Sequence, residues 1–464
     1  MRAPREKTAA LCAAILLTAP AAARARDVWT SEEGDSVLEL RAFYKTFGDA
    51  LRMQPGLVQG TQALQDLLTE AGQPVGAALP LYGAASTHTA RAWGRFLVHD
   101  KVELSVGYQL DATIASDRAL AGGLGLGGSV PVAGTQAASR RLVDFDHVLA
   151  RKDGFLLQHN LDQLCVKAKM SVGELVVGRQ VLSWGTGHFW NPTDLLSPFG
   201  PTDVDREVRH GVDAVRFSMP LSKTALLDVL WLPQQQGWAQ GAVVRAQANF
   251  KGFDVSLSAA KYVSDVVVGA DAAGDIGPVA VRAEAAYTFG LTGLDSGHVD
   301  LGDHFLRAVA GLDLKPASGL VLSAEYYYNG FGAEGAAGYA GKLASARVTS
   351  GEIFGAGQHY LALAAIWKAT DLLTVNAMAI GNLADPSVIV VPSLEYWLEQ
   401  SVILRVGGYI PIGKQPDPRA LQALTLSDLV GRTPAFQSAS GSLGLRSEYG
   451  SSPWGLFAQV GVYF

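Results

Sequence analysis

Charged residues recur at alternating positions inside apolar stretches of this sequence, where they could form a polar face on a sheet. The set comprises Glu103, Asp111, Lys167, Lys169, Arg245, Arg282, Glu284, Glu325 and Arg405. A period of two places their apolar neighbours on the opposite face of each strand. Both signs of charge occur, so strong selectivity for cations or for anions is not predicted. We expect each charge to pair with a neighbour across the sheet; the alternative is that these charges line a constriction.

A second group of charges lies in the irregular segment 184–210, between two alternating runs. It comprises Asp194, Asp203, Asp205, Arg206, Glu207, Arg209 and His210. Prolines and glycines prevent a regular helix or strand here. Apolar residues such as Trp184, Phe189 and Trp190 need a packing surface, so a solvated linker is not expected. We predict an ordered loop that folds against or into the structure formed by the strands and contributes to a constriction. The alternative is that it caps an open end.

Arg179 ends the strand that precedes this loop, and a buried arginine needs an acidic partner. Asp194 and Asp203 are the candidates, and Arg179 is therefore added to the predicted constriction residues. Asp203 and Asp205 could touch calcium, but the remaining oxygen ligands are missing, so no metal site is predicted. Asn191–Asp194 is typical of a turn whose side chains bond the local backbone.

Signatures of catalysis are weak throughout the chain. Nine histidines are scattered along the sequence, and neither G-x-S-x-G nor H-E-x-x-H occurs. The glycine-rich stretch Gly122–Gly128 lacks the lysine and the following helix of a phosphate loop. A Ser/His/Asp site could still assemble from distant residues, which keeps a hydrolase as a disfavoured hypothesis. We predict no enzymatic activity and no cofactor.

Many segments of about ten residues alternate apolar and polar positions, as a strand with two different faces requires. In Lys101–Ala112, Val102 and Leu104 oppose Glu103 and Ser105; Gln240–Phe250, Gly277–Phe289 and Gly319–Phe331 alternate in the same way. A soluble β-sandwich would alternate too. Alanine and glycine on the apolar faces and charges in the strand middles favour a barrel with lipid outside and water inside.

Aromatic residues near the segment ends resemble the girdles of membrane proteins. They are Trp231, Tyr262, Tyr287, Tyr326–Tyr328, Trp367, Tyr396, Trp397 and Tyr409.

Residues 1–25 have the features of a secretory signal peptide. Basic Arg2, Arg5 and Lys7 precede the apolar run Thr8–Thr18, and an A-x-A cleavage pattern follows. The remaining chain carries 33 Lys and Arg against 42 Asp and Glu, a net charge of −9, which argues against a nucleic-acid partner. It contains no apolar run long enough for a transmembrane helix, and only a closed barrel can otherwise span a bilayer.

These observations predict an all-β fold, a single transmembrane antiparallel β-barrel over residues 26–464 with about 16–18 strands. Short turns alternate with long outer loops at 48–87, 114–154, 184–210, 331–356 and 412–438. A literal count gives 19 strands, with a split near Ser264, whereas termini on the same side require an even number. One assignment, near 264–276 or 412–450, is therefore expected to be wrong. Leu57–Ala71 has the spacing of a short helix.

Two motifs resemble known outer-membrane proteins. The final strand ends at Phe464, similar to the signal by which Gram-negative barrels are recognised for insertion. Gly178–Gly185 (GRQ-x-L-S-W-G) and Asn191–Asp194 (N-P-x-D) form a pattern similar to one in porin-like proteins. The resemblance implies the barrel fold and the cell outer membrane after signal cleavage. It implies the lipid bilayer and, through Phe464, the barrel assembly machinery as partners, and it identifies no solute.

The polar strand faces together with this resemblance favour a porin-like channel for diffusion or uptake of small hydrophilic solutes. The alternative is a barrel that serves as a binding or assembly partner, for a surface polysaccharide or a periplasmic complex.

Overall fold

The structure, a computed structural model, describes residues 26–72, 79–116, 141–294, 299–425, 427 and 444–464. The predicted signal peptide and the stretch Gly122–Gly128 lie outside these residues. Within the described part of the chain, no helix has the length and apolar character needed to cross a membrane.

Strands dominate the described residues. They are β1 (Arg26–Thr30), β2 (Val37–Arg52), β3 (Tyr82–Val98), β4 (Val102–Ala115), β5 (His147–Lys152), β6 (Phe155–Met170), β7 (Gly173–Gln180), β8 (Val212–Ser222), β9 (Ala225–Leu232), β10 (Gly241–Phe250), β11 (Phe253–Tyr262), β12 (Asp265–Ile276), β13 (Val279–Thr292), β14 (Asp300–Ala317), β15 (Leu320–Asn329), β16 (His359–Lys368), β17 (Leu373–Asn382), β18 (Ser387–Glu399), β19 (Val402–Ile412) and β20 (Trp454–Tyr463).

Helices occupy the connections between strands. They are α1 (Pro55–Glu70), α2 (Tyr339–Leu343), α3 (Ala346–Thr349) and α4 (Arg419–Gln422), with single 3-10 turns at Gly237–Ala239, Ala336–Gly338 and Tyr449–Ser451. The predicted helix at Leu57–Ala71 is confirmed as α1, which begins at Pro55, a residue suited to the first helical turn.

Eighteen of these strands close into an antiparallel barrel, which confirms the predicted fold class. β2 pairs with β3 on one edge and with β20 on the other, so the first and last wall strands seal the ring. The two short strands lie outside this count: β1 pairs with the start of β2, and β5 with the start of β6. The split near Ser264 is a real turn between β11 and β12.

Alternation decides which way each side chain points. In β10, Arg245 is 5% exposed, whereas its neighbour Val244 is 47% exposed. The barrel therefore carries charged side chains on its inner face and apolar side chains on its outer face, whereas a soluble protein has the reverse arrangement. The predicted aromatic positions divide in the same way: Trp231, Tyr326, Trp367 and Tyr396 face outward. Tyr262, Tyr327 and Tyr409 are buried inside, so their assignment to the girdles was wrong.

The connections alternate between short turns at one end of the barrel, here the turn end, and long loops at the other, the loop end. Turns such as Lys251-Gly252 need positive φ angles, 52° and 86°. Phe464 pairs with Ala42 on the side of the turn end. The first long loop is shorter than the predicted 48–87, because β2 runs to Arg52 and β3 begins at Tyr82.

Candidate functional site

The segment 181–211 between β7 and β8 crosses the inside of the barrel, and we call it the lumen loop. Thr193 N–H donates to Glu284 on β13 at 2.6 Å. Lys45 Nζ on β2, a strand on the far side of the ring, contacts Asp205 Oδ2 at 3.0 Å. A loop held by both strands must span the lumen. The prediction that it folds inward is confirmed, and the alternative that it only caps the mouth is wrong.

Glu325 on β15 holds the first part of the lumen loop. Its carboxylate accepts backbone N–H groups from His188 at 2.8 Å and from Phe189 and Trp190 at 3.0 Å each. Arg282 Nε also donates to Glu325, at 3.0 Å, and balances its charge. Buried amides without a strand partner need such an acceptor, and a carboxylate can serve several at once.

Glu284 on β13 holds the middle of the lumen loop. It accepts N–H groups from Thr186 at 2.9 Å and from Thr193 at 2.6 Å, and the Thr193 hydroxyl at 2.8 Å. Gly185 allows this approach, because a Cβ there would lie 2.7 Å from Glu284 Oε2 and its φ of 92° favours glycine. Both glutamates were predicted to face inward; their role as loop anchors was missed by the sequence analysis.

The tip of the lumen loop is tied to the strands where the ring closes. Asp205 accepts from Lys45 Nζ and, at 2.7 Å, from Gln459 Nε2 on β20. Glu207 also contacts Lys45 and accepts from Tyr463 Oη at 2.9 Å. Burial alone would raise the pKa of Asp205, but the Lys45 ammonium and the hydrogen bonds it receives lower that pKa below its ordinary value.

The remaining loop charges stabilise the loop's own conformation. Arg209 pairs with Asp194 at 2.6 Å, and Arg206 donates to the carbonyls of His188 and Pro201 at 2.6 and 2.7 Å. Asp203 accepts the Gly200 N–H at 2.7 Å, as in a turn. Burial raises the pKa of Asp194 and of Asp203.

Apolar residues of the lumen loop pack on the inner wall in two clusters. In the first, Trp190 stacks on Tyr327 at 5.0 Å between ring centroids and lies 5.7 Å from Tyr360. In the second, Leu195 and Leu196 pack on β8 to β13. The inner wall is therefore the packing surface predicted for the apolar residues of segment 184–210.

A second connection, residues 444–453, also enters the barrel from the loop end. Glu448 accepts from Tyr360 Oη at 2.5 Å, Asn382 Nδ2 at 2.7 Å and the Ala356 N–H at 2.9 Å. Tyr449 joins the same apolar cluster as Trp190. The sequence analysis missed this contribution, although Glu448 between serine, tyrosine and glycine had no place in a strand pattern.

The wall charges named from the sequence are mostly ion-paired or hydrogen-bonded within the wall. Arg245 pairs with Asp271 (2.9 Å), Arg282 with Asp313 (2.7 Å), Arg405 with Glu395 (2.8 Å), Glu103 with Arg95 (2.9 Å) and Lys167 with Glu174 (3.6 Å), and Asp111 accepts from Thr89 (2.6 Å). Lys169 is exposed beside the turn that follows β6. Pairing across neighbouring strands therefore describes most of this set.

Arg179 is not paired with an acid of the lumen loop, and the predicted partners Asp194 and Asp203 are wrong. Its side chain lies on the outward face, in register with the exposed Leu164, so its assignment to the constriction is also wrong. Its Nε donates to Asp213 Oδ1 on β8 at 2.8 Å. Arg179 and Asp213 are opposite each other in the β7–β8 register. The side chain is buried and paired with an acid, as expected. Its partner is determined by strand register and not by proximity to the lumen loop.

A cavity of about 800 Å³ lies between the lumen loop and the wall strands near the turn end. Its lining includes Arg41, Arg91, Arg206, Arg209, Arg405, Glu207, Phe43, Trp93, Trp397 and Tyr463. Five arginines and one acid line it, and Arg91, Arg209 and Arg405 pair with Asp162, Asp194 and Glu395 beside it. A larger groove, of about 1150 Å³, is lined by apolar residues such as Leu394 and Leu456, which face outward, away from the lumen.

In the part of the chain that the structure describes, no group of three or more His, Cys, Asp or Glu residues could hold a metal ion. Cys165 is buried and unbridged there.

No protein-family model matches the chain, and no curated protein is significantly similar to it in sequence. Solved structures share its fold. OccK9 (OpdG) of Pseudomonas aeruginosa is 11% identical, with a TM-score of 0.51 over 92% of this chain and 98% of that chain. OccAB1 of Acinetobacter baumannii is 10% identical, with a TM-score of 0.51 over 95% and 99% of the two chains. At such identities the likeness establishes the barrel architecture alone.

Proposed function

We propose that the protein is an outer-membrane channel of a Gram-negative bacterium, through which small hydrophilic solutes pass, with the lumen loop as its constriction. The observation that carries this proposal is the loop itself. It is pinned across the inside of a closed barrel by carboxylates of the wall, Glu284 and Glu325, and by Lys45. A segment in that position narrows any path along the barrel axis.

The outer surface supports a membrane location. Outward aromatic residues lie near both ends of the strands: Phe250, Trp367 and Tyr396 towards the turn end, and Trp231, Tyr326 and Trp454 towards the loop end. Apolar side chains between these two girdles are exposed, as lipid contact requires.

The cavity near the turn end supports a polar solute. Arg206 lines it and donates to backbone carbonyls of the loop. Among the described residues, no acid lies within salt-bridge distance of Arg206. Arg91, Arg209 and Arg405 are paired with Asp162, Asp194 and Glu395. The remaining positive potential favours anions over cations at this position.

Planar-bilayer recording tests the proposal. The purified, folded protein should insert in discrete conductance steps, with chloride more permeant than potassium. Replacement of Gly187–Pro201 by a few glycines should raise the single-channel conductance several-fold, because it removes the part of the loop that crosses the lumen. Removal of the loop would leave the buried carboxylates of Glu284 and Glu325 without their hydrogen-bond donors. A second variant therefore combines the shortened loop with Glu284→Gln and Glu325→Gln.

An intact barrel without conductance would overturn the channel. It would favour the second candidate, a barrel that binds a surface polysaccharide or a periplasmic complex. A hydrolase would instead turn over lipid esters, and we propose that this protein has no such activity. The barrel assembly machinery is proposed as a partner through Phe464.

A further inference from the structure

The hydrogen-bond ladder of the wall is interrupted on one edge of β6. β5 pairs with β6 up to His159, and β7 pairs with it from Leu164 onwards. Within the described strands, residues 160–163 have no ladder partner on this edge. Gly211, the last residue of the lumen loop before β8, lies against the backbone of Asp162, where a Cβ would collide with the carbonyl oxygen.

Two arginine side chains fill this interruption in place of a strand. Arg179 Nη1 donates to the Leu161 carbonyl at 2.8 Å. Arg141 Nε donates to the Gly211 carbonyl at 3.1 Å, and its Nη1 donates to Asn160 Oδ1 at 3.0 Å. Side-chain contacts, rather than a β-ladder, therefore join β6 to its neighbours at residues 160–163, and such contacts can separate without breaking strand pairing.

A segment on the outside of the barrel covers the interruption. We call residues Arg141–Lys152 the outer strap. Asp213 faces outward, because it and Arg179 continue the row that begins with the outward Leu164. The backbone N–H groups of Leu142 and Val143 donate to Asp213 Oδ2 at 2.8 and 3.2 Å.

The strap thereby shields an ion pair that would otherwise face lipid, where charge is costly. The Phe145 ring lies 5.2 Å from the Arg179 guanidinium, whose side chain is only 1% exposed. On the other side of the strap, Leu142 and Val143 are exposed. The strap therefore presents polar contacts to the wall. Its outer surface combines apolar Leu142, Val143, Val148 and Leu149 with exposed Asp144, Arg151 and Lys152.

Polar groups continue from the strap through the wall to the lumen. Arg141 contacts Asn160, whose Nδ2 lies 3.4 Å from His210 Nδ1. Asp162 pairs with Arg91, which lines the 800 Å³ cavity. Among the described residues, Arg141 Nη2 and Asp162 Oδ1 are buried and have no hydrogen-bond partner, so the path retains unused donor and acceptor capacity.

We infer that this interruption is a lateral portal, closed by the outer strap, through which a single-chain amphiphile with an anionic head group passes between the lumen and the outer leaflet. Arg91, Arg141 and Arg179 are paired with Asp162, Asp146 and Asp213 in the closed state. Their guanidinium groups provide successive contacts for the head group when it replaces these aspartates. The apolar residues of the strap adjoin the lipid that receives the chain. The inference rests on the proposed channel, because the amphiphile reaches the portal through the lumen.

A reversible lock on the strap tests the portal. In a Cys165→Ser background, His147→Cys with His159→Cys joins register partners on β5 and β6, whose native rings lie 5.5 Å apart. Phe289→Cys with His304→Cys, outward register partners on β13 and β14, is the matched control. Vesicles carrying the barrel and, in the inner leaflet, a fluorescent lysophosphatidate are treated with albumin, which extracts the probe once it reaches the outer leaflet.

Oxidation of the strap pair should slow the transfer several-fold, and a reductant should restore it. The control pair should transfer at the same rate in both states, and potassium chloride conductance should be unchanged in all of them. Equal transfer by the locked and reduced forms, at normal conductance, would overturn the portal and leave the channel standing. Loss of conductance in the parent protein would overturn the channel itself.

Discussion

Successive residues of a wall strand face opposite sides of the barrel. The same substitution at two neighbouring positions is therefore expected to have different effects. Arg245 is buried against Asp271 and Ser256, so it is not the freely hydrated charge that a wide lumen would allow. A charge reversal at Arg245 would place two acids together in a buried site and is expected to be destabilising. Outward positions beside it face lipid.

Ala246→Arg should destabilise the barrel much more than Gln247→Arg. Ala246 faces outward near the middle of β10, where an arginine costs about 2–4 kcal/mol at the bilayer midplane. Gln247 lies on the inner side and is exposed to water there. The measurement is the free energy of unfolding in lipid vesicles, followed by tryptophan fluorescence in denaturant. Equal losses for the two variants would show that the faces of β10 have been assigned wrongly.

Acid should release the loop tip only at low pH. The pKa of Asp205 is lowered in the folded protein, so its contribution to stability is fully present above the unfolded value of about 3.9 and is lost as pH falls through the lower folded pKa. The difference in single-channel current noise between the parent and Asp205→Asn should therefore stay constant from neutral pH to about pH 4 and shrink below it. This comparison excludes the titration of Asp194 and Asp203, whose pKa burial raises.

Asp205→Asn is the matched control for this acid effect, since it removes the charge at every pH while it keeps the shape of the side chain. Its channels should be noisy already at neutral pH. Quiet Asp205→Asn channels at neutral pH would mean that Lys45 and Asp205 do not restrain the loop.

The lumen loop is an element whose position depends on the wall. Its backbone amides are satisfied by wall carboxylates, and its aromatic residues by the inner apolar clusters. A loop with the same sequence outside a barrel would lack both. The position of the lumen loop therefore depends on its anchor Glu325 and on the strands β7 and β8 that flank it.

Glu325→Ala should loosen the first part of the lumen loop. It removes an acceptor shared by three buried amides and by Arg282, and hydrogen bonds to charged groups contribute about 1.5–3 kcal/mol each. Conductance should become larger and more variable, and the loop should be cleaved faster by protease. Glu103→Gln, an inward carboxylate bonded to Arg95, is the control that should leave both readouts unchanged.

Arg179→Ala should lower the stability of the barrel, by at most about 3–5 kcal/mol, since it leaves Asp213 partly buried beneath the strap with only the Leu142 and Val143 N–H groups as donors. The double variant Arg179→Ala with Asp213→Ala should recover part of this loss in the same unfolding measurement. Conductance should stay close to that of the parent protein, because both side chains face outward, away from the lumen. A change in conductance as large as that caused by Glu325→Ala would contradict the assigned geometry.

The barrel is a ring that is closed by the pairing of its last wall strand, β20, with its first, β2. Phe464 extends this closure, with its N–H 2.7 Å from the Ala42 carbonyl and its own carbonyl 3.1 Å from the Ala42 N–H. A closed ring resists detergent until it is heated.

The mature protein should fractionate with outer membranes and migrate differently on gels before and after boiling. Deletion of Phe464 should slow insertion, because it removes the last closing contacts and the aromatic signal. Recovery of the protein as a soluble periplasmic species would contradict the membrane location. Unchanged assembly of the shortened chain would show that closure does not depend on its last residue.

The sequence by itself determined the features that depend on neighbours along the chain. Alternation with a period of two fixed which residues of β10, β13 and β15 face inward, because successive side chains of a strand must point to opposite sides. Proline and glycine marked segment 184–210 as irregular, and its apolar residues marked it as packed. The helix α1 followed from the spacing of its leucines.

Only the tertiary structure decided which distant groups meet. The partner of Arg179 is Asp213 and not a loop acid, because strand register places them opposite each other. Glu284 and Glu325 anchor the lumen loop because closure of the ring brings β13 and β15 beside it. Such pairings depend on the number, tilt and register of all the strands together, and no local pattern in the chain encodes these quantities.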